Sequence, residues 1–94
     1  MSYPKMSELA TSFPTLAGGV PGVLPWDAEA LEEWAAGPAP SHGGLCAARF
    51  VLSVWNGCTD DWRCGRFDAM EALGCWDNQH RAAFVAWASD PWWP

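Results

Sequence analysis

Basic residues are scarce in this 94-residue sequence, in which five Lys and Arg stand against eleven Asp and Glu, for a formal net charge of −6. The basic residues are spread along the chain and form no run that would follow a phosphate backbone: Lys5, Arg49, Arg63, Arg66 and Arg81. An acidic domain is a poor ligand for nucleic acid or anionic lipid and a better one for a basic protein surface. We therefore expect no direct binding to nucleic acid or to a membrane.

Long apolar runs are also missing, because no stretch approaches the roughly 18 residues of a membrane span. The opening residues, MSYPKMSELATSF, are interrupted by proline and by charged side chains, unlike the apolar centre of a signal peptide. We expect a cytoplasmic protein, and its four cysteines should then be reduced thiols.

No pair of cysteines has the two-to-four-residue spacing that is typical of zinc sites. Cys75 and His80, with four residues between them, come nearest to it. A small zinc- or thiol-dependent domain that uses Cys58, Cys64, Cys75 and His80 stays open as an alternative, although Cys46 and Cys75 fit better as small buried apolar residues.

Catalytic motifs are absent as well. No nucleophile, base and orienting acid stand together in the sequence, and AGGVPG follows no strand that would make it a phosphate-binding loop. We expect no enzymatic activity, no catalytic residues, no bound metal and no cofactor.

What the chain has in abundance is tryptophan, with eight residues, and half of its residues are hydrophobic. Each buried indole removes about 150–250 Å² from water, so one small domain over residues 1–94 can form a core. Period-2 alternation is lacking, which predicts an all-α fold, a compact small helical bundle. Residues 1–25, rich in Pro and Gly, are predicted as an extended N-terminal arm with a short helix near residues 7–12, and residues 26–94 as the helical core.

Four residues suited to capping a helix N-terminus precede helical patterns: Asp27, Ser41, Asp68 and Asp77. Glu71 follows Asp68 at the spacing of a capping box, and Gly37 and Gly74 stand where left-handed C-caps are expected.

The longest predicted helix, over residues 42–56, is apolar around most of its circumference and is therefore expected at the centre of the bundle. Arg49 lies in its narrow polar strip, where we expect an acidic partner. His80 falls on an apolar stripe and is predicted to be a core histidine with one hydrogen-bonded nitrogen. Five residues are predicted near the centre: Leu52, Trp55, Leu73, Phe84 and Trp87.

Acidic residues are concentrated in residues 1–36, where one Lys stands against five acids. Glu29, Glu32 and Glu33 have the spacing of one helix face.

The closing DPWWP is predicted to fold back over the last helix with at least one indole buried, or to form an exposed aromatic hook. The predicted partner-binding residues are Glu29, Glu32, Glu33, Asp60, Asp61, Trp92 and Trp93.

The string ARFVLSVWN…GRFDAMEALGCWDNQHRAAFVAWASDPWWP resembles, over about residues 47–94, small accessory proteins of phages and integrative elements, a group whose neighbours include anti-CRISPR inhibitors. The resemblance implies a non-enzymatic inhibitor that occupies the basic surface of a Cas or other nucleic-acid-binding complex, and it transfers no site residues. The alternative of a structural or homodimeric interaction protein stays open, and so does the choice between monomer and homodimer.

Overall fold

The computed structural model describes residues 3–56 and 62–94, which contain five α-helices, one 3-10 helix and no β-strand. The α-helices are α1 (Tyr3–Thr11), α2 (Ala28–Ala36), α3 (His42–Trp55), α4 (Ala69–Cys75) and α5 (Asn78–Ser89), and the 3-10 helix is Pro14–Leu16. The all-α prediction is confirmed. Among the described residues, no helix has the length and apolar character needed to cross a membrane.

Helices α2 to α5 begin at the residues that were predicted to cap them. The side chains of Asp27, Ser41, Asp68 and Asp77 each accept a hydrogen bond from a backbone N–H in the first turn of the following helix. These bonds satisfy donors that have no partner inside the helix, which is why short polar residues at these positions fix where the helices start.

The predicted helix ends were less accurate. Gly37 follows α2 with φ −89°, so its backbone is not left-handed, and Gly74 lies inside α4. The capping box is only half formed, because Asp68 accepts from the N–H of Glu71 while the Glu71 side chain turns towards His42 on α3.

Helix α3 is the centre of the structure, as predicted, and its Phe50 connects it to several of the surrounding segments. The Phe50 ring lies 5.2–5.7 Å, centroid to centroid, from four other aromatic rings: Phe13, Phe67, Phe84 and Trp87. These rings belong to the segment after α1, the loop before α4, and α5. Edge-to-face and tilted pairs of this kind stabilise a core by about 0.5–1.5 kcal/mol each beyond their buried area.

The predicted central residues are only partly central. Leu52 is fully buried, while Trp55, Phe84 and Trp87 are half-buried against the core. Leu73 is exposed, contrary to prediction, because the seven-residue helix α4 turns Ala72 towards α3 and directs Leu73 away.

The predicted extended arm is not what the structure shows, since residues 3–11 form a helix and residues 14–16 a 3-10 helix. Met6, Leu9, Ala10 and Phe13 recur at helical spacing and are buried, so they give this segment an apolar stripe that packs on α3. Pro4 is tolerated because it lies in the first turn, where an N–H has no intrahelical partner. Pro14 begins the 3-10 helix, and Pro21 and Pro25 lie in turns, so none of them extends the chain into an arm.

The turns of residues 17–26 attach α1 to α2. The hydroxyl of Ser7 donates to the carbonyl of Val23 over 2.6 Å, and the N–H of Asp27 donates to the carbonyl of Gly22 over 2.7 Å. Gly22 has φ +83°, and a Cβ there would lie 2.3 Å from the carbonyl oxygen of Asp27. Only glycine therefore fits this close approach between the turn and the start of α2.

We predict that Phe50→Ala lowers the free energy of unfolding by about 3–5 kcal/mol, because it removes the ring that four others contact and leaves a cavity. Chemical denaturation followed by circular dichroism measures the change. Val85→Ala, at a half-exposed position of α5, is the control and should stay within about 0.5 kcal/mol of the unmodified chain. Equal effects of the two substitutions would contradict a central role for Phe50.

Candidate functional site

The three glutamates predicted to share the solvent face of α2 do not do so. Glu29 and Glu33 are exposed, but Glu32 is 6 % exposed and lies beside the buried Leu31 and Ala35. The carboxylate of Glu32 accepts from Nε of Arg63 over 2.8 Å. Its second oxygen accepts from the backbone N–H of Cys64 over 3.1 Å.

These bonds explain why a carboxylate is stable at this buried position. A buried charge is costly unless it is paired and hydrogen-bonded, and the segment that contains Arg63 and Cys64 supplies both kinds of partner. The hydrogen bond to Glu32 raises the pKa of Arg63 above its ordinary value. Glu32 therefore holds the segment before α4 against α2. The i, i+3, i+4 spacing of the three glutamates could not reveal this internal role.

The exposed side of α2 combines the two remaining carboxylates with apolar grooves. Within residues 3–56 and 62–94, the carboxylates of Glu29 and Glu33 form no hydrogen bond or ion pair, although Arg63 is close enough to Glu33 to compensate part of its charge. A groove of about 360 Å³ runs beside Glu33 and Trp34, and a second of about 450 Å³ follows the turns of residues 17–25. Both grooves reach Pro21 and Ala30, so they lie side by side.

The C-terminal tail folds back over α5, as predicted, but neither of its two indoles is fully buried. The indole N–H of Trp87 donates to the carbonyl of Trp92 over 3.0 Å, and the ammonium group of Lys5 lies 4.2 Å from the centre of the Trp92 ring. Trp92 is half-buried against the core, whereas Trp93 is 54 % exposed with its ring 5.3 Å from that of Trp87. Of the two predicted contact residues in the tail, Trp93 presents the larger exposed surface.

The predicted contact residues Asp60 and Asp61, and Cys58 of the alternative zinc site, lie outside the described residues.

His80 is a core histidine, as predicted, and both of its nitrogens have partners. Nδ1 lies 2.7 Å from the carboxylate of Asp77, and Nε2 lies 2.8 Å from the hydroxyl of Thr15. The hydrogen bond from the His80 backbone N–H, followed by that from the ring, lowers the pKa of Asp77 below its ordinary value of 3.8. The histidine thereby joins α5 to the 3-10 helix.

The alternative zinc site is not assembled in the described part of the chain, because Cys64, Cys75 and His80 do not bring their ligand atoms together. Cys64 is buried, its thiol faces the carbonyl of Gly65, and burial raises its thiol pKa. Across the described residues, only one group of His, Cys, Asp or Glu brings three ligand atoms within 4.8 Å of one another: His42, Cys46 and Cys75.

This thiol–imidazole cluster, His42, Cys46 and Cys75, lies where α3 and α4 meet. His42 and Cys46 are four residues apart on α3, and the Sγ atoms of Cys46 and Cys75 are 3.8 Å apart. Burial, followed by the hydrogen bond with Cys75, raises the pKa of Cys46 to about 12. Cys75 is exposed, contrary to the prediction of a buried apolar residue.

Three further contacts hold the cluster together. The carboxylate of Glu71, four residues before Cys75 on α4, lies 2.5 Å from Nε2 of His42 and 3.5 Å from Nη1 of Arg49, which confirms the acidic partner expected for Arg49. The indole N–H of Trp76 donates to the carbonyl of Gly43 over 3.0 Å. The sequence signal was two pairs at i, i+4 spacing, His42–Cys46 and Glu71–Cys75, but nothing in it indicated that the two helices would meet.

Comparisons with protein-family descriptions, curated proteins and solved structures found no match for this chain.

We predict that Glu32→Gln lowers the free energy of unfolding by about 1–2 kcal/mol, because a neutral amide loses the charge-assisted bond to Arg63 in a mostly buried site. Glu33→Gln, one residue along and exposed, is the matched control and should change stability by less than about 0.5 kcal/mol. Urea denaturation of both variants measures the difference. A larger loss for Glu33→Gln than for Glu32→Gln would refute the internal role of Glu32.

A second prediction concerns acid stability. Because folding lowers the pKa of Asp77, its carboxylate stabilises the folded chain above the unfolded-state pKa, and this contribution disappears as pH falls through the folded-state pKa. Asp77→Asn keeps a capping side chain but cannot titrate. Melting temperatures measured from neutral pH down to about pH 2.5 should therefore fall less steeply for Asp77→Asn than for the unmodified chain. Parallel curves would contradict the assignment.

Proposed function

We propose that this protein is a non-enzymatic binding protein whose acidic α2 surface contacts a basic partner. The surface, called here the α2 face, consists of Glu29, Glu33 and the two adjoining grooves. The observation that carries the proposal is that the exposed carboxylates of Glu29 and Glu33, one helical turn apart, have no hydrogen-bonding or ion-pairing partner in residues 3–56 and 62–94. Glu33 lines one of the two apolar grooves, and Ala30, next to Glu29, lines both.

The net charge of −6 supports a basic partner, because complementary charge steers association and suppresses binding to acidic surfaces. The grooves add apolar contact, because a specific protein interface needs buried apolar contacts in addition to complementary charge. Leu24, 77 % exposed on the wall of the larger groove, would lie against the partner. A segment with an apolar side chain flanked by Lys or Arg fits this combination.

The partner we propose is a nucleic-acid-binding complex with a basic surface, such as a Cas complex. This protein would inhibit the complex by occupying that surface. The charge balance and the resemblance of residues 47–94 to accessory proteins of phages and integrative elements support this choice. Asp60 and Asp61, which lie outside the described residues, stay proposed contact residues, and so does Trp93 in the tail.

The test uses the protein as bait in an extract of its own host, with retained proteins identified by mass spectrometry. Glu29→Lys combined with Glu33→Lys should lose the specific partner, whereas Glu8→Lys, an exposed charge reversal on α1, should retain it. Glu32 is left unchanged because its carboxylate is internal. Far-UV circular dichroism confirms that the variants keep their helices.

The identified partner should present a basic surface, and its affinity should fall as salt increases, because exposed charges are screened. Retention of the same partner by the double variant with unchanged affinity would reject the α2 face. Loss of binding only on Trp93→Ala would assign contact to the tail instead.

A further inference from the structure

The thiol–imidazole cluster has a geometry that neither the α2 face nor the packing of α3 against α4 requires. Two helices each contribute a pair of polar residues at i, i+4 spacing, and the four side chains converge: His42 and Cys46 from α3, Glu71 and Cys75 from α4. A thiol and an imidazole are the ligand types that bind zinc and related borderline ions most readily.

The separation of the sulfur atoms matches that of metal-bound thiolates. Two thiolates at about 2.3 Å from a tetrahedral zinc lie about 3.8 Å from each other. The Sγ atoms of Cys46 and Cys75 are 3.8 Å apart, and all three ligand atoms lie within 4.8 Å of one another. A disulfide would need the two sulfur atoms at about 2.05 Å, so the observed spacing suits an ion between the thiols better than a bond between them.

We propose that His42, Cys46 and Cys75 bind one divalent ion of the zinc type, with solvent at the fourth position. Binding forms two metal–sulfur bonds and one metal–nitrogen bond, and each thiol releases its proton to solvent. The two thiolates neutralise the two charges of the ion, so no further counter-charge is needed.

Glu71 is assigned as the positioning residue of this site. Its carboxylate accepts from Nε2 of His42 and is itself held by Arg49. A hydrogen bond from one imidazole nitrogen to a carboxylate is the usual means of orienting a metal-binding histidine, and it leaves the other nitrogen for the ion. The exposure of His42 and Cys75 gives an ion and a solvent ligand access from outside.

The ion would act as a clamp between α3 and α4. Helix α4 has seven residues and buries only Ala72, so it obtains little stability from apolar packing. Small domains often use a metal in place of a larger core, and an ion that binds only the folded chain stabilises it by mass action.

The test adds zinc chloride, and separately cobalt(II) chloride, to the full chain kept reduced with a phosphine. One equivalent of zinc should bind, and zinc at about 100 times its dissociation constant should raise the melting temperature by about 10 °C or more. Cobalt(II) should give the intense visible bands of tetrahedral coordination together with thiolate-to-metal charge transfer.

Cys75→Ser and His42→Ala, both at exposed positions, should each lose at least ten-fold in affinity, and Cys46→Ser should do the same. Glu71→Gln should weaken binding less while keeping the thiolate band.

Cys58→Ser and Cys64→Ser are the matched controls and should bind zinc with unchanged stoichiometry. Failure of the reduced, folded chain to take up zinc or cobalt would overturn the proposal. So would binding that survives Cys75→Ser, or binding lost in the two control variants. Because the α2 face plays no part in these measurements, their outcome is independent of the partner-binding proposal.

Discussion

The contact of the Phe50 ring with four other aromatic rings is the interaction on which the fold depends most. It joins α3 to the segment after α1, to the loop before α4 and to α5 at a single buried position. Trp76 extends the same group, with its ring 5.4 Å from Phe13 and 5.9 Å from Phe67. In a chain of this length the aromatic rings supply buried area that short helices with small residues would lack.

Around this aromatic centre, single polar contacts determine how the peripheral segments attach. Glu32 holds the segment before α4, His80 holds the 3-10 helix, and Trp76 holds the start of α3. Each bond contributes modestly to net stability, but a buried polar group that loses its partner costs more than the bond contributed. Such contacts therefore select one arrangement of the helices over others with similar apolar burial.

The two proposed binding sites are built from different helices. The α2 face offers exposed carboxylates and grooves to a partner, while the thiol–imidazole cluster lies between α3 and α4. The seven-residue helix α4 has few apolar contacts of its own, and Glu71 and Cys75 both project from it towards α3. An ion there would add to the stability of a helix that buries only Ala72.

Local chemistry determined the starts of helices α2 to α5, the all-α class, the central place of α3 and the buried His80, because capping and helical periodicity act over a few residues. The sequence also carried the stripe from Met6 to Phe13, but the neighbouring prolines and glycines suggested an extended arm. Only the tertiary structure decided that Glu32 turns inward to Arg63, and that Cys75 meets Cys46 and not His80. Those outcomes depend on which segments pack together, and helices separated by a dozen or more residues are brought into contact by the burial of the whole core, which no short pattern encodes.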